Sequence, residues 1–144
     1  MSPDSTTARL LADQLRPVLL RLARELRREA QSLGITGGQV ALLAQIKRNP
    51  GITASELADR ERMSAPGMSG HVGRLETAGL IERERASDRR RIGLTVTAEG
   101  AKILANVRKR RTAWLAEHLD GLTDDERDAI VAALPALERL LEAR

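Results

Sequence analysis

The chain has 144 residues, of which 42% are hydrophobic, and this is enough for one compact domain; its core must be almost wholly aliphatic because there is one Trp and no Phe or Tyr. Its 24 Lys and Arg outnumber 20 Asp and Glu, giving a formal net charge of +4 that is compatible with nucleic-acid binding without requiring it. The lack of cysteine excludes disulfides, thiolate nucleophiles and thiol-based redox sensing, and with no secretory leader and no apolar stretch of roughly 18 residues we expect a cytoplasmic protein without a membrane span.

The first predicted element is a long amphipathic helix over residues 8–33. Its apolar stripe consists of Leu11, Leu15, Val18, Leu22, Leu26 and Leu33. The opposite face, which we interpret as solvated, carries Arg16, Arg21, Arg24, Arg27 and Arg28. We expect Pro17 to bend this helix near its start, and Gly34, followed by Gly37 and Gly38, to break it.

Two further helices are predicted before residue 61. The first covers residues 39–48, and its inward side chains are Val40, Leu42, Leu43 and Ile46. Thr53 and Glu56 then have the spacing of a capping box, in which the Glu56 amide donates to the threonine hydroxyl and the Thr53 amide donates to the carboxylate. This box predicts a short helix over about residues 54–60.

A fourth helix follows closely, over about residues 64–78. Ser64 is a good N-cap, Pro66 falls in the first turn where its missing N–H costs nothing, and Gly79 ends the helix. The buried side chains should be Met68, Val72 and Leu75. Two short helices joined by residues 61–63 indicate a helix-turn-helix.

The next two segments, residues 80–85 and 91–96, predict a β-hairpin, or wing. Ile81, Ile92, Leu94 and Val96 are expected to face inward. The hairpin and its tight turn at residues 86–90 carry five arginines, namely Arg83, Arg85, Arg89, Arg90 and Arg91.

The chain is predicted to end in two helices. Thr97 caps a long one that runs to about residue 119, and Thr123 with Glu126 forms a second capping box that opens the last, in which Pro135 should introduce a kink. The apolar stripes of the terminal helices exceed what a small winged domain could cover, which suggests a partner surface. The fold class is therefore mostly α with a small β-hairpin wing (α+β): a winged helix-turn-helix with terminal helices forming a dimerisation domain.

The chain resembles the MarR family over nearly its whole length, residues 10–141, in an ordered set of motifs. The set is TASELA at 53–58, SAPGMS at 64–69, RLETAGLI at 74–81, DRR at 88–90 and LTVTAEG at 94–100. The resemblance implies a triangular homodimer in which residues 8–33 and 101–143 of two chains interlock and carry two winged regions, residues 36–99, onto a pseudo-palindromic site in double-stranded DNA. It also implies a repressor that releases DNA when a small anionic or aromatic ligand binds.

The second helix of a helix-turn-helix lies in the major groove with its N-terminal residues at base edges. The candidates for DNA binding there are Ser64, Ala65, Gly67, Ser69, Gly70 and Arg74. Ser69 suits a base edge or phosphate, and Arg74 suits phosphate or guanine. Relatives often carry Arg where this chain has Gly70, and Gly67, Gly70 and Gly73 recur at every third residue. The glycines indicate either close backbone approach with shape readout, or a tolerant or ligand-responsive segment.

The wing supplies the other candidates. By resemblance, Arg90 is inserted into the minor groove and Asp88 orients it, with Arg89 beside them; an arginine at a hairpin tip suits the negative potential of a narrow minor groove. The alternative is a solvated basic turn. His71 could be a base contact, a pH sensor or a packed, hydrogen-bonded side chain, and Trp114 could line a ligand pocket or pack in the core or dimer interface.

No catalytic, cofactor or metal site is predicted. Acidic residues at 124–126 are explained by the helix dipole, and His118 lacks partners at metal-ligand spacing, so an enzyme is not indicated. Besides a ligand-released, sequence-specific repressor, two functions stay open. One is an architectural DNA-binding dimer of low sequence preference, and the other is a ligand- or protein-binding module that no longer binds DNA.

Overall fold

The computed structural model of the protein describes residues 3–85 and 90–142. Within these ranges the chain is mostly helical, with one antiparallel hairpin, as the sequence predicted. The elements are α1 (Pro3–Gln31), α2 (Gly37–Arg48), α3 (Ala54–Arg60), α4 (Ala65–Thr77), β1 (Ile81–Arg85), β2 (Ile92–Val96), α5 (Ala98–Asp120) and α6 (Asp124–Glu142). None of the helices in these ranges is long and apolar enough to cross a membrane.

The start of α2 corrects the sequence prediction. Gly37 and Gly38 were expected to be helix breakers, but they form the first turn of α2, because Thr36 provides a full capping box before them. The Gln39 amide donates to Thr36 Oγ1 at 3.1 Å, and the Thr36 amide donates to Gln39 Oε1 at 3.0 Å. Glycine at 37 also makes room for α1, since a Cβ there would lie 2.5 Å from Arg27 Cγ.

An aliphatic core joins the middle of the chain, as the composition predicted. Its largest fully buried side chains come from α2, α3, α4, the hairpin and α5: Leu43, Ile46, Leu57, Met68, Val72, Leu75, Ile81, Leu94 and Val107. All four predicted inward residues of α2 are among the buried ones. The helix-turn-helix is thus held by side chains that face away from its outer surface.

The hairpin pairs Ile81 with Val96 at its base and Arg85 with Ile92 near its tip. The prediction that Ile92 faces inward is wrong, because its side chain is 42% exposed. The core contacts of β2 come earlier: Leu94 exchanges two backbone hydrogen bonds with Gly51 and Ile52, at 2.9 and 2.8 Å. Ile92 lies beyond this contact, toward the tip, where no core element covers it.

Ala30 of α1 and Val107 of α5 belong to this core, and the two helices also contact each other beyond it. Arg111 Nε donates to the Leu26 carbonyl at 3.1 Å, which fastens α5 to the C-terminal half of α1. The second predicted capping box is confirmed, since the Thr123 amide donates to Glu126 Oε1 at 3.1 Å and the Glu126 amide donates to Thr123 Oγ1 at 3.2 Å. The Thr123 amide and the Thr123 hydroxyl, which donates to the same Glu126 Oε1 at 3.0 Å, lower the pKa of Glu126 by stabilising its ionised form. Both α1 and α6 continue past their internal prolines.

Candidate nucleic-acid interface

The turn between α3 and α4 sets the angle of the second helix. Arg62 has a φ of 52°, in the left-handed region that a non-glycine residue adopts rarely, and the Met63 amide donates back to the Ala58 carbonyl at 2.9 Å. Ser64 then caps α4, its Oγ accepting from the Gly67 amide at 3.1 Å. These contacts end α3 and start α4 within four residues, which is the compact connection of a helix-turn-helix.

The outer face of α4 contains the residues predicted to meet the major groove. Met68, Val72 and Leu75 are fully buried, as predicted. On the other side the structure exposes Ser64, Ala65, Ser69, Gly70 and Arg74. Gly67 is half-buried and has a structural use, since a Cβ there would lie 2.9 Å from Ser64 Oγ and crowd the cap. The six candidates therefore share one region of α4, and their contact with DNA stays a prediction.

His71 is half-buried and hydrogen-bonded on this helix. Its Nδ1 lies 3.0 Å from Arg74 Nη2, one helical turn away. Among the interpretations left open by the sequence, the structure therefore favours a packed, hydrogen-bonded histidine, but one that contacts a candidate DNA-binding side chain.

Two ion pairs attach the wing to the helix-turn-helix. Arg83 of β1 donates from Nε to Glu76 of α4 at 2.7 Å, and Arg91 lies with Nη1 2.6 Å and Nη2 3.1 Å from the two carboxylate oxygens of Glu56 in α3. The predicted return contact of Glu56 with the Thr53 amide is therefore wrong. The Glu56 amide does donate to Thr53 Oγ1 at 3.1 Å, but the carboxylate is engaged by Arg91.

Arg90 is exposed and lines a cleft of about 570 Å³ between the wing and the start of α3, together with Arg83 and Arg91. The other two wing candidates, Asp88 and Arg89, lie outside the described residues. The wing thus places at least three arginines beside the start of α3. The sequence anticipated this basic cluster but not the glutamates that orient two of its members.

Comparisons with known proteins match this geometry. The family model described as "MarR family" matches residues 33–92, from just after α1 to the first residue of β2. The chain is 30% identical over 133 residues to an uncharacterized HTH-type transcriptional regulator of Mycobacterium leprae, covering 92% of this chain and 93% of that protein. It is 30% identical over 113 residues to the HTH-type transcriptional repressor MdtR of Bacillus subtilis, covering 78% and 73%. A crystal structure of a transcriptional regulator from Pseudomonas aeruginosa superposes with a TM-score of 0.85 at 32% identity, covering 100% of both chains.

The chain belongs to the MarR family of transcriptional regulators. Regulators of this family bind DNA and act as dimers, and the class is not enzymatic. Both the resemblance drawn from the motifs and the winged helix-turn-helix fold are confirmed. The helix-turn-helix of α3 and α4, with the β1–β2 hairpin as its wing, is the winged fold of this family.

This MarR family chain has a second surface feature that the sequence analysis did not locate. A groove of about 560 Å³ lies between α2 and α5. Its apolar lining is Val40, Ala44, Leu104, Val107 and Leu115, and its cationic lining is Lys47, Arg48, Arg108 and Arg111. The signal in the sequence was a pair of cations at the end of α2 and another pair three positions apart in α5, next to the apolar stripe. Only the fold brings the two pairs together.

Trp114 does not line that groove. Its ring stacks on His118, with centroids 3.9 Å apart and planes inclined by 25°, and His118 Nδ1 lies 2.7 Å from the Trp114 carbonyl oxygen. The half-buried Trp114 and the exposed His118 thus stack on each other along one face of α5, and Trp114 also lines a smaller pocket with Glu29 and Arg110. Among the described residues, no group of three His, Asp or Glu side chains could hold a metal ion.

Proposed function

We propose that this chain is a homodimeric, sequence-specific repressor that binds a pseudo-palindromic operator. The observation that carries the proposal is the joint placement of α4 and the wing: Glu56 of α3 and Glu76 of α4 fasten a basic hairpin to the helix-turn-helix whose second helix exposes the candidate residues. A fixed spacing between a groove-reading helix and a minor-groove arginine lets one protomer contact two grooves of one half-site. The relative MdtR, named a repressor, supports repression as the outcome.

In this proposal the residues divide by groove. The major groove receives Ser64, Ala65, Gly67, Ser69, Gly70 and Arg74. Arg90 enters the minor groove, with Asp88 and Arg89 assigned to the same contact by the sequence motif. Because Gly70 and Gly73 have no side chain, the backbone of α4 can approach the base edges closely, and deformability of the DNA then contributes to recognition.

Dimerisation is assigned to residues 8–33 and 101–143, and DNA binding to residues 36–99. The support is exposed apolar surface on both terminal helices. No side chain of α6 is buried within the chain. Exposed fractions reach 62% at Leu10, 64% at Val131 and 79% at Leu141. An apolar surface of this extent requires a partner, and a second copy of the chain presents the same surfaces.

The groove between α2 and α5 is our candidate for the effector site. An apolar floor with four cations around it suits a small aromatic anion, whose ring would bury against Leu104 and Leu115 while its carboxylate meets Arg108. The groove joins a helix of the DNA-binding region to a helix of the dimerisation region. A bound ligand could therefore change the spacing of the two recognition helices.

Benzoate tests this assignment. We expect benzoate to release the protein from DNA, and Arg108→Ala to raise the benzoate concentration required. Lys109→Ala removes the same charge from the next residue of α5, outside the groove, and should leave that concentration unchanged. Equal effects of the two variants would show that general charge, and not the groove, governs release.

An architectural, sequence-tolerant DNA-binding dimer is the second candidate. The observation in its favour is the outer face of α4, where glycine occupies positions 67, 70 and 73. Affinity for a duplex selected from a random library, compared with affinity for unselected duplex, separates the two functions when measured at several salt concentrations. A repressor should prefer the selected duplex by about 10³-fold or more, and the preference should persist at high salt. Equal affinities would support the architectural protein.

A further inference from the structure

The guanidinium of Arg74 does not point directly away from the recognition helix. Nη2 lies 3.0 Å from His71 Nδ1, and Nη1 lies 3.9 Å from the position that a Cβ would take at Gly70. Residues 70 and 71 are one turn N-terminal to Arg74. The side chain is therefore directed back along α4, toward the end of the helix that enters the major groove first.

The chemistry of this contact fixes the role of each group. A guanidinium carries five N–H donors and no acceptor, so Nδ1 of His71 must accept, and the proton of the neutral ring lies on Nε2. One donor of Arg74 is used in this way, and four remain. The two parallel donors that guanine O6 and N7 require can therefore still be supplied.

Gly70 leaves the space in which the Arg74 side chain runs back along α4. Arg74 Nη1 is already at van der Waals distance from where a Cβ would stand, so any side chain longer than alanine would extend into the space that the guanidinium occupies. His71 is half-buried, and its Nδ1 lies 3.0 Å from Nη2 of the same guanidinium. The space left by glycine at residue 70 and the acceptor at residue 71 thus both affect the position of the same guanidinium.

We propose that His71 is a specificity-positioning residue: it holds the Arg74 guanidinium over Gly70, where that group reads a guanine in the operator. This inference rests on the proposed function, since it assumes an operator. It adds a residue outside the predicted DNA-binding set and assigns it a role through Arg74 and not through direct contact with DNA.

The test compares His71→Leu with His71→Asn. Leucine removes the acceptor, whereas the Oδ1 of asparagine can stand near the place of Nδ1. Leucine also has a higher helix propensity than histidine, so loss of α4 is not an expected consequence of that change. The measurement is the ratio of affinities for the selected operator and for versions of it with single base-pair substitutions, and Arg74→Ala identifies the base pair that Arg74 reads.

We expect His71→Leu to reduce discrimination at that base pair by about tenfold, as loss of one hydrogen bond to a charged group would. Discrimination at the other positions should change little, and His71→Asn should restore most of the loss. In the Arg74→Ala background, His71→Leu should have no further effect, because its action passes through Arg74.

Two results would overturn the inference while leaving the repressor intact: full discrimination in His71→Leu when Arg74→Ala has lost it, or additive losses in the double variant. Uniform loss of affinity at every position would also overturn it, because that result indicates general damage to the helix. If the wild-type protein binds selected and random duplex equally, the proposed repressor function fails first and the inference fails with it.

Discussion

Arg90 is the single residue on which the wing assignment depends most. We expect Arg90→Ala to weaken operator binding by about 1.5–3 kcal/mol, because a guanidinium in a narrow minor groove makes charge-assisted contacts. The loss should be largest where the flanking sequence is rich in A·T pairs. Fluorescence anisotropy with A·T-rich and G·C-rich flanks measures this.

Lys109→Ala is the matched control for that change, since it removes one positive charge from α5, away from the wing. An equal loss of affinity in both variants would mean that only net charge matters. Unchanged affinity of Arg90→Ala would contradict a minor-groove contact by this residue.

At the residue scale, the sequence predicted helix caps more accurately than it predicted side-chain contacts. Ser64 and Thr123 cap their helices as expected, because a cap depends on residues three apart in the chain. The ion pair of Glu56 with Arg91 joins residues 35 positions apart. It could not be predicted without knowing that the hairpin packs against α3. The contact of His71 with Arg74 joins residues three positions apart, but the sequence was equally compatible with a base contact or a pH sensor at His71.

Among the elements, β2 approaches the backbone of the α2–α3 loop closely at Gly93. A Cβ at Gly93 would lie 2.8 Å from both Cα and the carbonyl oxygen of Gly51. We therefore expect Gly93→Ala to lower the free energy of unfolding by about 1–3 kcal/mol, because backbone atoms cannot move aside as a side-chain end can. Urea denaturation of the two proteins measures the difference.

Gly73→Ala is the comparison on α4. Nothing lies within 4 Å of a Cβ at that position, so the substitution should raise the free energy of unfolding by about 0.4–1 kcal/mol through helix propensity and loss of unfolded-state entropy. Destabilisation of α4 by this change, or a neutral result for Gly93→Ala, would contradict the described packing.

The capping box of α6 gives a pH prediction. Hydrogen bonds from Thr123 lower the folded-state pKa of Glu126 below its ordinary value of 4.5, so the ionised carboxylate stabilises the folded protein at neutral pH. That stabilisation is lost as the pH falls below the ordinary value and through the folded-state pKa. Glu126→Gln should therefore destabilise the protein at pH 7 and differ little from wild type at the acid end. A constant difference between the two proteins across this range would contradict the capping role.

At the element scale the sequence predicted the order and type of every described helix and strand, and two of its failures have one cause each. Gly37 and Gly38 were taken as breakers because their intrinsic helix propensity is low, but the Thr36 and Gln39 box and the proximity of Arg27 outweigh that cost. Ile92 was placed inward by alternation alone, although the contact of β2 with the α2–α3 loop ends before it.

The whole molecule is expected to depend on the second copy. Val131→Asp with Leu134→Asp places two carboxylates in the apolar stripe of α6, and burying them at an interface is costly, so we expect a monomer in sedimentation equilibrium. Arg139→Glu reverses a charge on the opposite face of α6 and should leave the dimer intact. If the double variant still sediments as a dimer, the interface lies elsewhere.

At this scale the sequence indicated that the terminal helices carry uncovered apolar surface, and the structure locates it along α1 and α6. The sequence did not indicate the groove between α2 and α5, because the cations and apolar residues of that groove come from helices more than fifty positions apart. Surfaces made by one helix are visible in a periodic sequence, whereas surfaces made by two require their packing.

Hydroxyl-radical footprinting of the selected operator tests the central claim most directly. We expect two protected half-sites related by a pseudo-two-fold axis, with centres separated by a whole number of helical turns of about 10–10.5 base pairs. We also expect added minor-groove protection that Arg90→Ala removes. A footprint with no fixed boundaries, or one half-site protected by a monomer, would contradict it.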